Sequence, residues 1–187
     1  MTRVLINFIC FQLGWFACVI SAAEGVPVVG LAMAAAAVGL HLFLARDAQA
    51  EGLLVVFAVI IGLGYDSLLV ASGWIRYPSG MVIPGLAPYW ILAIWALFAT
   101  TLNLSMVWLR DRLWLAAALG ALFGPLSYLG GGRLGGLEFL QSTAALTALS
   151  AGWAVLMPLM LMLSVRFDGT ARVAEMELVS SAQRQES

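Results

Sequence analysis

Residues 52–73 read GLLVVFAVIIGLGYDSLLVASG, an unbroken apolar run in which Asp66 is the one charged side chain. As a helix, a run of this length crosses the roughly 30 Å hydrocarbon core of a bilayer. An ionised carboxylate inside lipid costs about 2.5–3.5 kcal/mol on insertion scales, so Asp66 is expected to face protein or water. Gly62 lies one helical turn earlier on the same face and permits a neighbouring helix to come close beside it.

The same reading extends outward. Apolar segments at 4–22, 26–44, 87–108, 113–130 and 138–164 join 52–73 to make six. Composition agrees: 63% of residues are hydrophobic, 10% are charged and the mean hydropathy is +0.99, far outside the soluble globular range. The expected fold class is all-α, a polytopic membrane bundle of six transmembrane helices. Breaks fall at Glu24 to Pro27, Arg46 to Gln49, the long Trp74 to Leu86 loop, Arg110 to Arg112 and Gly130 to Arg133, where turn-forming and charged residues collect. Residues 1–168 read as one transmembrane domain and 169–187 as a polar cytoplasmic tail expected to be disordered. Pro125 and Pro158 lie inside apolar segments and predict kinks.

Arginine placement orients the bundle. All nine basic residues are Arg, and a cytoplasmic N-terminus puts Arg3, Arg46, Arg110, Arg112, Arg166, Arg172 and Arg184 inside, with Arg76 and Arg133 outside. That asymmetry follows the positive-inside rule, and an even number of crossings requires both ends on one side, so both termini are predicted cytoplasmic. A signal peptide is the competing reading of the first segment, since Arg3 precedes an apolar run ending in Ser21-Ala22-Ala23. Asn7 and Gln12 inside that run, and the odd crossing count that cleavage would leave, argue against it. Leu44 to Asp47 and Trp108 to Asp111 share an Arg-Asp pair that hints at a duplicated hairpin, although two ordinary cytoplasmic turns would read the same way.

Absences narrow the chemistry. Without lysine, neither a retinal or pyridoxal Schiff base nor a Walker phosphate loop can be built. With His41 as the single histidine, no metal centre and no cofactor are expected. Cys10 and Cys18 lie roughly 12 Å apart along one helix, beyond disulfide reach, and read as small packing residues. A net charge of -1 and a pI near 5.7 leave no basic surface for nucleic acid.

Asp66 leads the candidate site residues. Topology places Arg76, Tyr128, Arg133, Glu138 and Gln141 on its outer side, and the spacing of Glu138, Gln141 and Ser142 puts them on one face of the sixth helix. The plainer reading of Arg133 and Glu138 is that they flank helix ends at headgroup level. A second polar set joins Asn7 and Gln12 to Thr100, Thr101, Asn103 and Ser105, either as an interhelical lock worth about 0.6–2 kcal/mol or as a ligand-recognition surface. His41 reads as an interfacial residue. Trp15, Trp95 and Trp153 lie deep and either line an apolar cavity or pack as core, whereas Trp74, Trp90, Trp108 and Trp114 fall near interfaces. Small residues from Gly30 to Gly39 and from Ser142 to Gly152 make close-packing faces. A Gly-x-Ser-x-Gly elbow does not occur in the chain.

The ordered motifs Asn7-Phe8, Phe11-Gln12-Leu13-Gly14-Trp15-Phe16, Tyr65-Asp66-Ser67, Phe98 to Asn103 and Gly124-Pro125-Leu126-Ser127-Tyr128, with Gly135, carry a resemblance. Over residues 4–165 the chain resembles a bacterial family of small inner-membrane proteins catalogued as a domain of unknown function. That resemblance implies a multi-helix protein of the bacterial inner membrane. It also implies gene neighbours in fatty-acid modification, including cyclopropane-fatty-acid-type methyltransferases, and so a lipid substrate class by association. The chain departs at Leu104-Ser105, where relatives are expected to carry a histidine, which puts a proton or metal role there in doubt.

The expected function is to bind or move a lipid-like molecule in a polar-lined intramembrane cavity containing Asp66 and the tryptophans. A membrane enzyme or enzyme subunit in lipid modification, with Asp66, Glu138 or Tyr128 as acid-base groups, is one alternative. A scaffold or assembly partner is the other. Expected partners are membrane lipids, a lipophilic ligand, and a second copy of the chain or another membrane protein.

Overall fold

The computed structural model describes residues 2–170. Its helices are α1 (Thr2–Ala23), α2 (Val28–Leu44), α3 (Ala48–Ala71), α4 (Tyr89–Leu102), α5 (Leu113–Arg133) and α6 (Ser142–Arg166). Two strands of two residues, β1 (Ile75–Arg76) and β2 (Glu138–Phe139), pair antiparallel between the α3–α4 and α5–α6 connections. The all-α expectation therefore holds apart from this small ribbon. Four helices, α1, α3, α5 and α6, are long and apolar enough to cross a membrane, while α2 and α4 are shorter apolar helices of 17 and 14 residues.

At 1.5 Å per residue α4 is only about 21 Å long, and its surroundings account for that. It packs against α1, α2, α3 and α6, and Trp90, Trp95, Leu97, Phe98, Ala99 and Leu102 along it are all buried. A helix enclosed by protein has its ends satisfied by neighbours and need not match the lipid thickness. The segment expected to run on to residue 108 stops at Leu102. The Thr100 and Thr101 hydroxyls turn back onto the carbonyls of Leu97 and Phe98 at 2.7 Å each, Asn103 leaves the helix to bond elsewhere, and a 3-10 turn at Val107–Leu109 follows. The sixth helix starts at Ser142 because Glu138 and Phe139 are committed to β2. Glu138, Gln141 and Ser142 therefore do not share a helical face.

Consecutive helices pair as hairpins, and each contact has a local cause. The Ser21 hydroxyl of α1 accepts from the Gly30 amide at 3.0 Å, capping an N–H that the first turn of α2 would leave orphaned. Pro125 within α5 removes the N–H due to the Ala121 carbonyl, and Ser150 of α6 donates to that oxygen at 3.0 Å. Gly62 lets the Trp95 ring lie directly on α3, where any Cβ would overlap it. Trp95 in turn stacks on Trp153 of α6, ring centroids 5.0 Å apart and 10° from parallel.

The connections define two faces. One carries the start of α1, the α2–α3 and α4–α5 connections and the end of α6; we term it the terminal face. The opposite, hairpin face carries the remaining connections and the β1–β2 ribbon. The two Arg-Asp turns of the terminal face differ: Asp47 caps α3 by accepting from the Ala50 amide at 3.0 Å, whereas Arg112 before α5 makes no side-chain cap. Of the segment expected as a tail, Gly169 and Thr170 are held to the bundle, Gly169 accepting from the Arg46 and Asp47 amides at 3.3 and 3.2 Å. Residues 171–187 lie outside the described residues.

Candidate functional site

Asp66 is fully buried near the hairpin face. Its Oδ1 accepts from the hydroxyls of Tyr77 and Tyr128, each at 2.7 Å, and its Oδ2 accepts from the Trp95 indole at 2.8 Å. Trp can only donate, so at least the Trp95 bond has the Asp66 carboxyl group as acceptor. The donors come from α4, α5 and the α3–α4 loop, which makes Asp66 the knot that ties four parts of the chain. Burial first, and then the adjacent Asp66, push the Tyr77 hydroxyl well above its ordinary range, so it remains a donor at physiological pH.

Of the residues singled out in the sequence, the structure thus brings together Asp66, Trp95 and Tyr128. Asn7 joins a different group: its amide donates to the Thr100 carbonyl at 3.1 Å and to the Thr100 hydroxyl at 3.3 Å, while its oxygen accepts from Ser105 at 2.7 Å. These bonds fasten α1 to the end of α4. Gln12 is half-buried and makes no side-chain hydrogen bond among the described residues. Trp15 packs edge-on to Phe16 with centroids 5.0 Å apart. Glu138 pairs with Arg76 across the ribbon in an exposed salt bridge, Arg133 is exposed, and Gln141 borders a shallow depression with Trp74, Thr143 and Thr147.

Asn103 belongs to a second buried network, on the terminal face, which sequence reasoning did not foresee. Its centre is Glu51 of α3, 1% exposed. One Glu51 oxygen accepts from the Asn103 amide at 2.6 Å and the Gly169 amide at 2.8 Å; the other meets His41 Nε2 at 2.9 Å. The Asn103 oxygen accepts from Arg110, which also pairs with Asp168 at 2.7 Å. Thr170 closes the ring by donating its hydroxyl to the Asn103 carbonyl at 3.0 Å. The network gathers α2, α3, α4, the α4–α5 connection and the residues after α6 around one carboxylate. Glu51 lies between the Arg46 to Gln49 break and the third apolar run and was not singled out; a lone acid one residue outside an apolar run, with the chain's single histidine ten residues earlier, was the available signal.

Beside His41 the bundle opens. Arg3, Ile6, Asn7, Cys10 and Phe11 of α1 and Ala37, Leu40, His41 and Leu44 of α2 line a cleft of about 100 Å³, together with Leu97 and Thr100 of α4 and Ala45, Arg46, Leu104 and Thr170 from the connections and the residues after α6. On each helix the lining residues recur at three- and four-residue spacing, a single face. The α1–α2 hairpin is tight where it turns, with Gly30 against the Cys18 backbone. Neither this cleft nor the depression at Gln141 is lined by Asp66.

A matching family model covers residues 4–159, and so both buried carboxylates, most of the cleft lining and the whole or the larger part of each of the six helices. The chain belongs to the DUF2878 family. Its description is a protein of unknown function. No curated protein and no solved structure matches the chain. Within the DUF2878 region the cleft is the feature that combines an apolar wall with polar and basic groups, whereas the Asp66 knot spends its polar atoms internally.

Proposed function

We propose that this DUF2878 chain is a six-crossing protein of the bacterial inner membrane, its terminal face cytoplasmic, that binds a lipid-like amphiphile in the α1–α2 cleft. Four long apolar helices support membrane residence. The enclosure of α4 supports counting it among the crossings despite its length. Arg3, Arg46, Arg110, Arg112 and Arg166 on the terminal face, against Arg76 and Arg133 on the other, support the orientation.

One observation carries the binding reading: the cleft is lined by the aliphatic and aromatic side chains of Ile6, Phe11, Leu40, Leu44 and Leu97 together with the exposed residues Arg3 and Arg46. Such a surface suits a molecule with an apolar tail and an anionic head, since the tail replaces lipid contacts and the guanidiniums meet the head at the interface. The ligand position thereby moves from the expected Asp66 cavity to the opposite face, where Asn7 is the foreseen residue that borders it. Asp66 serves as the interhelical lock on which the bundle depends.

Native mass spectrometry of the purified full-length protein, with lipid identification, tests the reading. Wild type is expected to retain a specific amphiphile and Ala37→Trp, which fills the cleft, to lose it. Wild-type protein that keeps no lipid above detergent background overturns the proposal and favours the scaffold alternative. Cysteine labelling from either side of the membrane tests the orientation; labelling of positions 2 and 170 from the outer side would overturn it.

A further inference from the structure

No charged residue occurs between Arg76 and Arg110, and the α3–α4 loop that opens this stretch exposes its apolar side chains. Met81 is 43% exposed, Val82 78%, Ile83 57% and Leu86 36%. Adjacent apolar groups at a loop tip form the kind of patch that marks a membrane or partner contact. The tip is held in place. Ser79 donates to the Ala22 carbonyl of α1 at 2.7 Å, and its own carbonyl accepts from the Trp90 indole at 3.1 Å. The Gly80 carbonyl accepts from the Tyr89 amide at 3.1 Å, and the Ala87 amide donates to Ser67 Oγ of α3 at 2.9 Å. Gly80, at a φ of 81°, has the Trp90 ring and Pro27 against it. The loop thus lies beside the α1–α2 turn, where Val26, Val28 and Val29 are exposed as well.

We propose that this loop is a membrane-inserted element of the hairpin face: Met81, Val82, Ile83 and Leu86 enter the adjoining leaflet and take lipid acyl chains as their partner. The inference rests on the membrane residence argued above and is independent of the α1–α2 cleft. Length favours that occupant. The 17 residues of α2 span about 26 Å, short of the roughly 30 Å hydrocarbon core, and the loop lies against Pro27, immediately before α2, where apolar cover runs out. The backbone sets how deep the loop goes. The amides of Met81, Val82 and Ile83 have no acceptor among the described residues, and such groups are not tolerated in hydrocarbon. The main chain therefore stays at the headgroup boundary, where water and lipid oxygens satisfy it, and the side chains point roughly 5–10 Å inward, as those of interfacial helices do. Tyr77, which donates to Asp66, and Ser79 tie the start of the loop to α3 and α1, so the tip enters as a fixed part of the bundle. A second copy of the chain is the competing cover, and experiment separates the two.

The test uses the full-length protein in lipid nanodiscs, with Cys10→Ala and Cys18→Ala and a nitroxide attached at Val82→Cys. Collisions with oxygen, which concentrates in lipid, are expected to exceed those with a water-soluble nickel chelate, as they should at Met33→Cys on the exposed side of α2. Nickel dominance at Val82 beside oxygen dominance at Met33 overturns the inference and leaves membrane residence standing; nickel dominance at both overturns both. A Val82 nitroxide that meets neither reagent has a protein cover and overturns the lipid assignment. Wild type decides the question should the cysteine-free chain fail to fold. In nanodiscs holding one copy each, hydroxyl-radical oxidation of Met81 is expected to be at least about fivefold slower than in the denatured chain. An exposure of 43% by itself would slow it only about twofold, and protection below the fivefold level overturns the inference.

Discussion

Asp66 and Glu51 are two carboxylates on the same helix, both buried, near opposite faces of the bundle, and their neighbours differ in kind. Asp66 is held by two phenols and an indole, which donate hydrogen bonds and stay neutral. Glu51 is held by an amide side chain, a backbone N–H and an imidazole that borders a cleft. The contrast separates two uses of a buried acid in an apolar protein. When every donor is enclosed, the acid only fastens helices; when one partner borders a cleft, the acid also fixes a side chain on the cleft's wall.

The sharpest way to break this distinction is at the knot. Asp66→Ala strands the Tyr77, Tyr128 and Trp95 donors in a buried site and should cost about 3–5 kcal/mol, read as a large fall in folded yield and in thermal stability in detergent. Retention of wild-type stability would mean that those donors have other partners. Glu51→Gln comes next. One amide oxygen can still accept, but the amide group now faces the donors Asn103 and Gly169 or His41, so a loss of about 1–3 kcal/mol is expected together with changed ligand retention, which Asp66→Asn should not cause.

Ala37→Trp separates binding from stability from the other direction. It enters existing space, so unfolding should move by less than about 1 kcal/mol while the retained amphiphile disappears from native mass spectra. The smallest effect is expected at the ribbon. Arg76→Ala removes an exposed pair with Glu138 and should change stability by no more than about 0.5 kcal/mol in the same thermal assay, leaving ligand retention untouched. A larger loss there would make the hairpin face more than a structural closure.

Asp66 was legible in the sequence because lipid makes any acid in an apolar run conspicuous, and its partners Tyr128 and Trp95 were among the residues noted. Tyr77 was not, since it lies in a loop, eleven residues from Asp66, and only the return of that loop onto α3 brings the phenol inward. Glu51 and His41 escaped for a related reason. Each stands near the end of an apolar run, where a polar residue ordinarily meets headgroups and water. The early end of α4 also lay beyond pattern reading, because the apolar character continues past Leu102 and only hydrogen bonds made by Asn103 and the threonines stop the helix.

What the amino-acid order alone determined is the number and nature of the apolar helices and the presence of an acid among them that must be satisfied, because transfer of side chains into an apolar phase is a property of each segment by itself. The two clusters, the small ribbon, the enclosure of α4 and the opening beside His41 were decided by tertiary structure. They depend on the depth at which helices distant in sequence meet, and that is a matter of packing between segments.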